Sequence, residues 1–183
     1  MRMTSQSTAT AAGATEGAIV FTDIVGFTEF TALQGDEAAL KLLATQDRVV
    51  DEILGSDGRV VKSLGDGLLI WFDDPGKAVQ AALTLQSRFE EESFEENLPL
   101  WVRIGVHFGS PARRGQDLIG HDVNLAARIV ALAAPGEVLV SEVCTQKVGS
   151  DAGEVEFEEV GPVLMKGIPE PVSIYRAVTT SWL

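Results

Sequence analysis

The sequence contains a single cysteine, Cys144, among its 183 residues. No disulfide can form within the chain, which points to a reducing, cytoplasmic setting. Long apolar runs are also missing. The longest, "LLIWF", falls far short of the roughly 20 residues that a membrane-crossing helix needs. The opening stretch, "MRMTSQSTATAAGATEG", is small and polar and lacks the apolar middle of a signal peptide. Residues 1–16 read as a flexible tail or linker, which leaves 17–183 as one domain. Positive charge is scarce: 14 Lys and Arg stand against 27 Asp and Glu, a net charge of −13. A nucleic-acid surface needs a basic stripe and an anionic membrane attracts one, so the balance argues against both partners.

What is present is an ordinary globular composition, 45% hydrophobic and 22% charged, with no internal repeat. "GAIVFTDI" reads as a buried strand. From Asp36, "DEAALKLLATQDRVVDEIL" places Ala39, Leu43, Gln46, Val50 and Ile53 on one helical stripe, with Gln46 as its polar lapse. "RVVKSLGDGLLIWF" reads as two strands hinged on Gly65-Asp66-Gly67. A second helix follows Pro75, with Ala78, Ala82, Leu85 and Phe89 on one face. "WVRIGVHFG" is a strand, "SPARRGQDLIG" a loop and "HDVNLAARIVALA" a third helix. "GEVLVS", "EVEFEEV" and "VSIYRAV" supply further strands. The order predicts an α+β fold: a ferredoxin-like βαββαβ core sheet, helices on one face, and additional C-terminal strands.

Two carboxylates stand out in this layout. Asp23 ends the first strand and Asp66 occupies the hairpin turn. In a ferredoxin-like order these strands are sheet neighbours, so the two side chains converge at one edge. Convergent carboxylates suit two hard divalent cations, and paired cations suit phosphoryl chemistry. Gly26 lets the backbone turn sharply into a helix whose free N–H groups can hold phosphate oxygens. Taken singly, Asp66 also fits a plain turn residue and Asp23 a helix N-cap.

"FTDIVGFT", "VVKSLGDGLLIWF", "VRIGVHFG", "GQDLIGHDVNLAARI" and "GEVLVSE" follow one another in this order. Over about residues 17 to 178 the chain thereby resembles the class III nucleotidyl cyclases, chiefly the adenylyl cyclase catalytic domain. That resemblance implies that ATP is converted to 3′,5′-cyclic AMP and pyrophosphate by attack of the ribose 3′-hydroxyl on the α-phosphorus. It implies two divalent cations, Mg²⁺ or Mn²⁺, held by Asp23, Asp66 and the backbone carbonyl of Ile24. Gly26, Phe27 and Thr28 would line the triphosphate. Lys62 and Asp117 fall where the family reads the purine edge. A lysine with an aspartate suits adenine, which accepts at a ring nitrogen and donates from its amine; guanylyl cyclases typically carry glutamate and cysteine there. Asn124 would orient the ribose, and Arg128, four residues on, would stabilise charge on the α-phosphate. Lys166 lies near the place of a triphosphate-binding lysine, although relatives with a second lysine two residues on have Ile168 here. His107 reads as a structural strand residue. His121 and Asp122 stand where relatives usually carry small or uncharged residues.

The family's site lies between two catalytic domains placed head to tail. One supplies the aspartates; the other supplies the purine pair, asparagine and arginine. This chain carries both halves, which implies a homodimer with two composite sites. A regulatory domain in a longer parent protein is a further expected partner. The rival readings are a guanylyl cyclase, set apart by Lys62 and Asp117, and a silent nucleotide-binding module. The "GG(D/E)EF" turn of diguanylate cyclases is absent, since the corresponding hairpin reads "LGDGL".

Overall fold

A computed structural model of the chain describes residues 15–180, so residues 1–14 of the expected N-terminal tail lie outside the described residues. The chain runs β1 (Gly17–Ile24), α1 (Phe27–Gln34), α2 (Asp36–Leu54), β2 (Gly58–Ser63), β3 (Gly67–Phe72), α3 (Pro75–Glu95) and β4 (Val102–Gly109). It continues through β5 (Ala112–Arg114), β6 (Asp117–Ile119), α4 (His121–Leu132), β7 (Val138–Ser141), α5 (Glu142–Val148), β8 (Val155–Val163) and β9 (Val172–Thr179). Seven strands form one sheet in the order β2-β3-β1-β4-β7-β9-β8, while β5 and β6 make a separate hairpin. The mixed α+β class and the βαββαβ core are as the element order predicts.

β1 and β3 are interior strands, and their runs are apolar on both faces. Ala18, Val20, Leu68, Ile70 and Phe72 join α2 and α3 in the main core, which includes Ala78, Ala82, Leu85 and Phe89 as expected for α3. Asp74 caps α3, accepting from Lys77 N–H, and Pro75 starts it, where a missing N–H costs nothing. The alternate residues Ile19, Phe21, Leu69 and Trp71 need a second cover. That cover is α4, through Val123, Ala126 and Val130. The two core helices therefore share one face, and the later helix α4 takes the other. Gly105 sets the distance between α4 and β4: a Cβ there would meet Val130 N at 2.5 Å.

Two local expectations shift, and one helix goes unpredicted. In α2 the buried stripe runs through Leu42, Val49 and Leu54 as well as Ala39, Gln46 and Val50, while Leu43 and Ile53 are only half-buried. The helix is turned toward α3, and the ion pairs Arg48–Glu92 and Arg88–Glu92 close over that seam. The segment "SPARRGQDLIG" is not a plain loop; Ala112–Arg114 pairs with Asp117–Ile119. "EVCTQKV" forms α5, capped by Ser141 and burying Cys144. Burial alone pushes the Cys144 thiol up to about 12, leaving it an inert core residue.

Candidate active site

The register of the sheet brings the two aspartates together. Asp23 pairs with Gly67 across β1 and β3, so Asp66 lies one residue beyond the pairing, in the turn against the end of β1. Ile24 N–H reaches the Asp66 carbonyl at 3.4 Å, and Leu64 N–H closes the turn on the Gly67 carbonyl at 2.8 Å. Gly67 permits this contact, since a Cβ there would stand 2.5 Å from the Thr22 carbonyl oxygen. Both carboxylates are half-buried. Partial burial and the charge of Asp23 together raise the Asp66 carboxyl above its ordinary range. Hard oxygen donors of this kind suit Mg²⁺ or Mn²⁺.

Asp23 does not cap a helix. It is the end of β1, and Gly26 is the N-cap of α1, in the left-handed region at φ 72°. That conformation suits glycine, and no side chain caps the helix start. Phe30 N–H bonds back to the Gly26 carbonyl, so the N–H groups of Phe27 and Thr28 precede the first intrahelical bond. Phe27 is half-buried, and Gly26 and Thr28 are exposed.

Sequence reasoning missed Arg103, which faces Asp23 across β1 and β4. Its Nε and Nη2 both bond Oδ2 of Asp23, at 2.7 and 2.6 Å. Among the described residues Oδ1 of Asp23 has no such partner. The signal was available: Arg103 is a lone charge in an apolar strand, the same anomaly that exposed Asp23.

Lys62 and Asp117, 55 positions apart, form a pair with Nζ 2.9 Å from each carboxylate oxygen. Lys62 pairs with Leu69 on β3, just past a register shift between Val60 and Lys62. The β5–β6 hairpin delivers Asp117, and Leu118 N–H bonds Asp117 Oδ1 at 2.8 Å. Lys62 holds the Asp117 carboxyl below the usual carboxylate range. Asn124 and Arg128 are exposed on α4, away from the sheet-facing Val123, Ala126 and Val130. Among the described residues neither side chain has a hydrogen-bond or ionic partner. Lys166 is exposed in the β8–β9 turn beside Gly167 and does not join either group.

His107 and Asp122 belong to the scaffold under α4. His107 is buried between Ser141 Oγ, 2.8 Å from Nδ1, and Asp122 Oδ1, 3.3 Å from Nε2. Asp122 also accepts from Ser110 N–H at 2.8 Å, which anchors the start of α4 on β4. Burial lowers the His107 pKa against the opposing pull of Asp122. The imidazole is a structural bridge, as its strand position implied.

No group of three or more His, Cys, Asp or Glu side chains able to hold a metal occurs among the described residues. Asp23 and Asp66 are two carboxylates at one end of β1 and do not form such a group by themselves. Likewise, no helix among these residues is long and apolar enough to cross a membrane.

The sequence profile of the adenylate and guanylate cyclase catalytic domain matches residues 10–180. An adenylate cyclase of Streptomyces coelicolor is 37% identical over 124 residues, covering 67% of this chain and 32% of that protein. The chain spans less than half the length of the curated relatives it matches. In fold it is similar to a Trypanosoma brucei adenylate cyclase in its monomeric state, with TM-score 0.80 and 24% identity over 92% of each chain. It is equally similar to a guanylate cyclase domain from Catenaria anguillulae in complex with GTP, with TM-score 0.80 and 19% identity, covering 91% of this chain and 97% of that one. At these identities the two structures speak to the fold alone, and the fold serves either purine.

Proposed function

Because the chain belongs to the adenylate and guanylate cyclase catalytic-domain family, we propose that it is an adenylyl cyclase acting at composite sites in a homodimer. The observation that carries this reading is the convergence of Asp23 and Asp66, with Asn124 and Arg128 turned away from them on the outer face of α4. One chain thus offers two half-sites, and a second copy placed head to tail completes both.

The reaction forms one bond from the ribose 3′-oxygen to the α-phosphorus and breaks the bond to the pyrophosphate oxygen. The 3′-hydroxyl gives up its proton to solvent water, and pyrophosphate leaves with the electron pair of the broken bond. Two divalent cations on Asp23, Asp66 and the Ile24 carbonyl would supply Lewis acidity toward the 3′-oxygen and neutralise the leaving phosphates. Gly26, Phe27 and Thr28 would hold phosphate oxygens through backbone N–H groups at the start of α1, with Lys166 of the β8–β9 turn as a further phosphate contact. From the partner copy, Asn124 would orient the ribose, and Arg128 would meet the charge that grows on the α-phosphate. Lys62 would donate to the adenine ring nitrogen, and Asp117 would accept from its amine. A reducing cytoplasm, where ATP is plentiful, is the setting this reading requires.

Asp66→Asn tests the metal half of the reading. It keeps the turn's shape and removes the repulsion from Asp23. In chelator its Tm should equal or exceed that of the wild type. Mn²⁺ should raise the wild-type Tm and leave the variant's unchanged, and turnover should fall by about 10²-fold or more. An equal Mn²⁺ response in both proteins would show that the cation binds elsewhere.

A further inference from the structure

Arg103 bridges two functional elements. While Nε and Nη2 hold Asp23, Nη1 donates to the Ala131 carbonyl at 3.2 Å. Ala131 lies in the last turn of α4, where backbone carbonyls lack intrahelical partners. The last turn has no basic residue of its own. A cation there complements the helix dipole, and Arg103 supplies it from the neighbouring strand. Arg128 stands one turn upstream of this cap.

We infer that Arg103 is a positioning residue that ties occupancy of the Asp23 site to the order of the α4 segment presenting Arg128. The inference rests on the metal site and head-to-tail dimer proposed above. A dication at Asp23 replaces the guanidinium as counter-charge and repels it. Arg103 then loses the anchor that fixes its fork, and its hold on Ala131 weakens. Val130, which packs against Gly105 of β4, lies in that same last turn, so the helix as a whole stays seated on the sheet. The response is therefore a loosening of the α4 backbone from Arg128 to its end, without displacement of the helix. In the head-to-tail dimer, Asp23 and Arg128 of one chain serve different sites. Loading one site thus loosens the transition-state arginine of the other, a negative coupling carried by one side chain.

Hydrogen exchange of the full chain tests this on the α4 segment 126–134, with Mn²⁺ alone as probe and calorimetry reporting its binding. In the wild type, Mn²⁺ should speed exchange in the last turn about two- to fivefold, the scale of one helix-terminal charge. Arg103→Gln should show that faster exchange without metal and no further change with it. Arg103→Lys, which keeps the charge but not the fork, should also lose the metal response. Mn²⁺ that binds without altering wild-type exchange would overturn the inference, as would an Arg103→Gln chain that responds like the wild type. Failure of Mn²⁺ to bind would instead defeat the metal-site reading. The metal-free comparison of Arg103→Gln with wild type still judges the tether in that case, since unchanged exchange there removes it.

Discussion

Mixed in equal amounts, an Asp23→Ala chain and an Arg128→Ala chain should recover about one quarter of the wild-type rate. Each variant alone should have lost about 10³-fold or more. The arithmetic follows from the half-sites. Random pairing makes half the dimers mixed, and each mixed dimer has one intact site of two. The second site of that dimer carries both lesions. Recovery rests on Asp23 lying at the end of the interior strand β1 while Arg128 is exposed on the outer face of α4. Were both residues to serve a site within one chain, mixing would restore nothing, although mixed dimers could be shown to form by differential tagging.

The second large effect concerns the purine. Lys62→Glu combined with Asp117→Cys should shift preference from ATP toward GTP by about 10²- to 10⁴-fold, measured as the ratio of kcat/KM values. Each mismatched group leaves a buried polar atom unsatisfied at about 1–3 kcal/mol, and there are two. Pairing of Lys62 and Asp117 at 2.9 Å means that neither acts alone. Single substitutions should therefore lose ATP turnover without gaining GTP turnover, because each strands the other's charge. A double variant still selective for ATP would place purine recognition in other residues.

Much of this layout was legible in the sequence where periodicity and apolar runs were long. The strands β1 and β3 and the helix α3 declared themselves through continuous apolar or helically spaced residues. Their continuity also carried a signal left unused: strands apolar on both faces need two covers, and α4 is the second. The strands β5 and β6, three residues each, are too short to show a period, so their hairpin read as a loop. The stripe of α2 was rotated because tertiary contact with α3 selects which apolar residues are buried. Asp23 and Asp66 could be paired by strand order alone. Lys62 and Asp117 could not, since a bulge and a hairpin bring them together, and only the family resemblance joined them. Arg103 was visible as a charge in an apolar strand, but its partners became known only with the sheet register.

The most direct test of the account is product analysis of the purified chain over a range of protein concentrations. ATP and GTP are supplied separately with Mn²⁺ or Mg²⁺, and products are separated by chromatography. The account predicts cyclic AMP from ATP, little cyclic GMP from GTP, and a rate per chain that rises with concentration to a plateau as dimers form. Cyclic GMP as the main product would contradict the reading of Lys62 and Asp117. An undiminished rate per chain under conditions where the protein is monomeric would contradict the composite site itself.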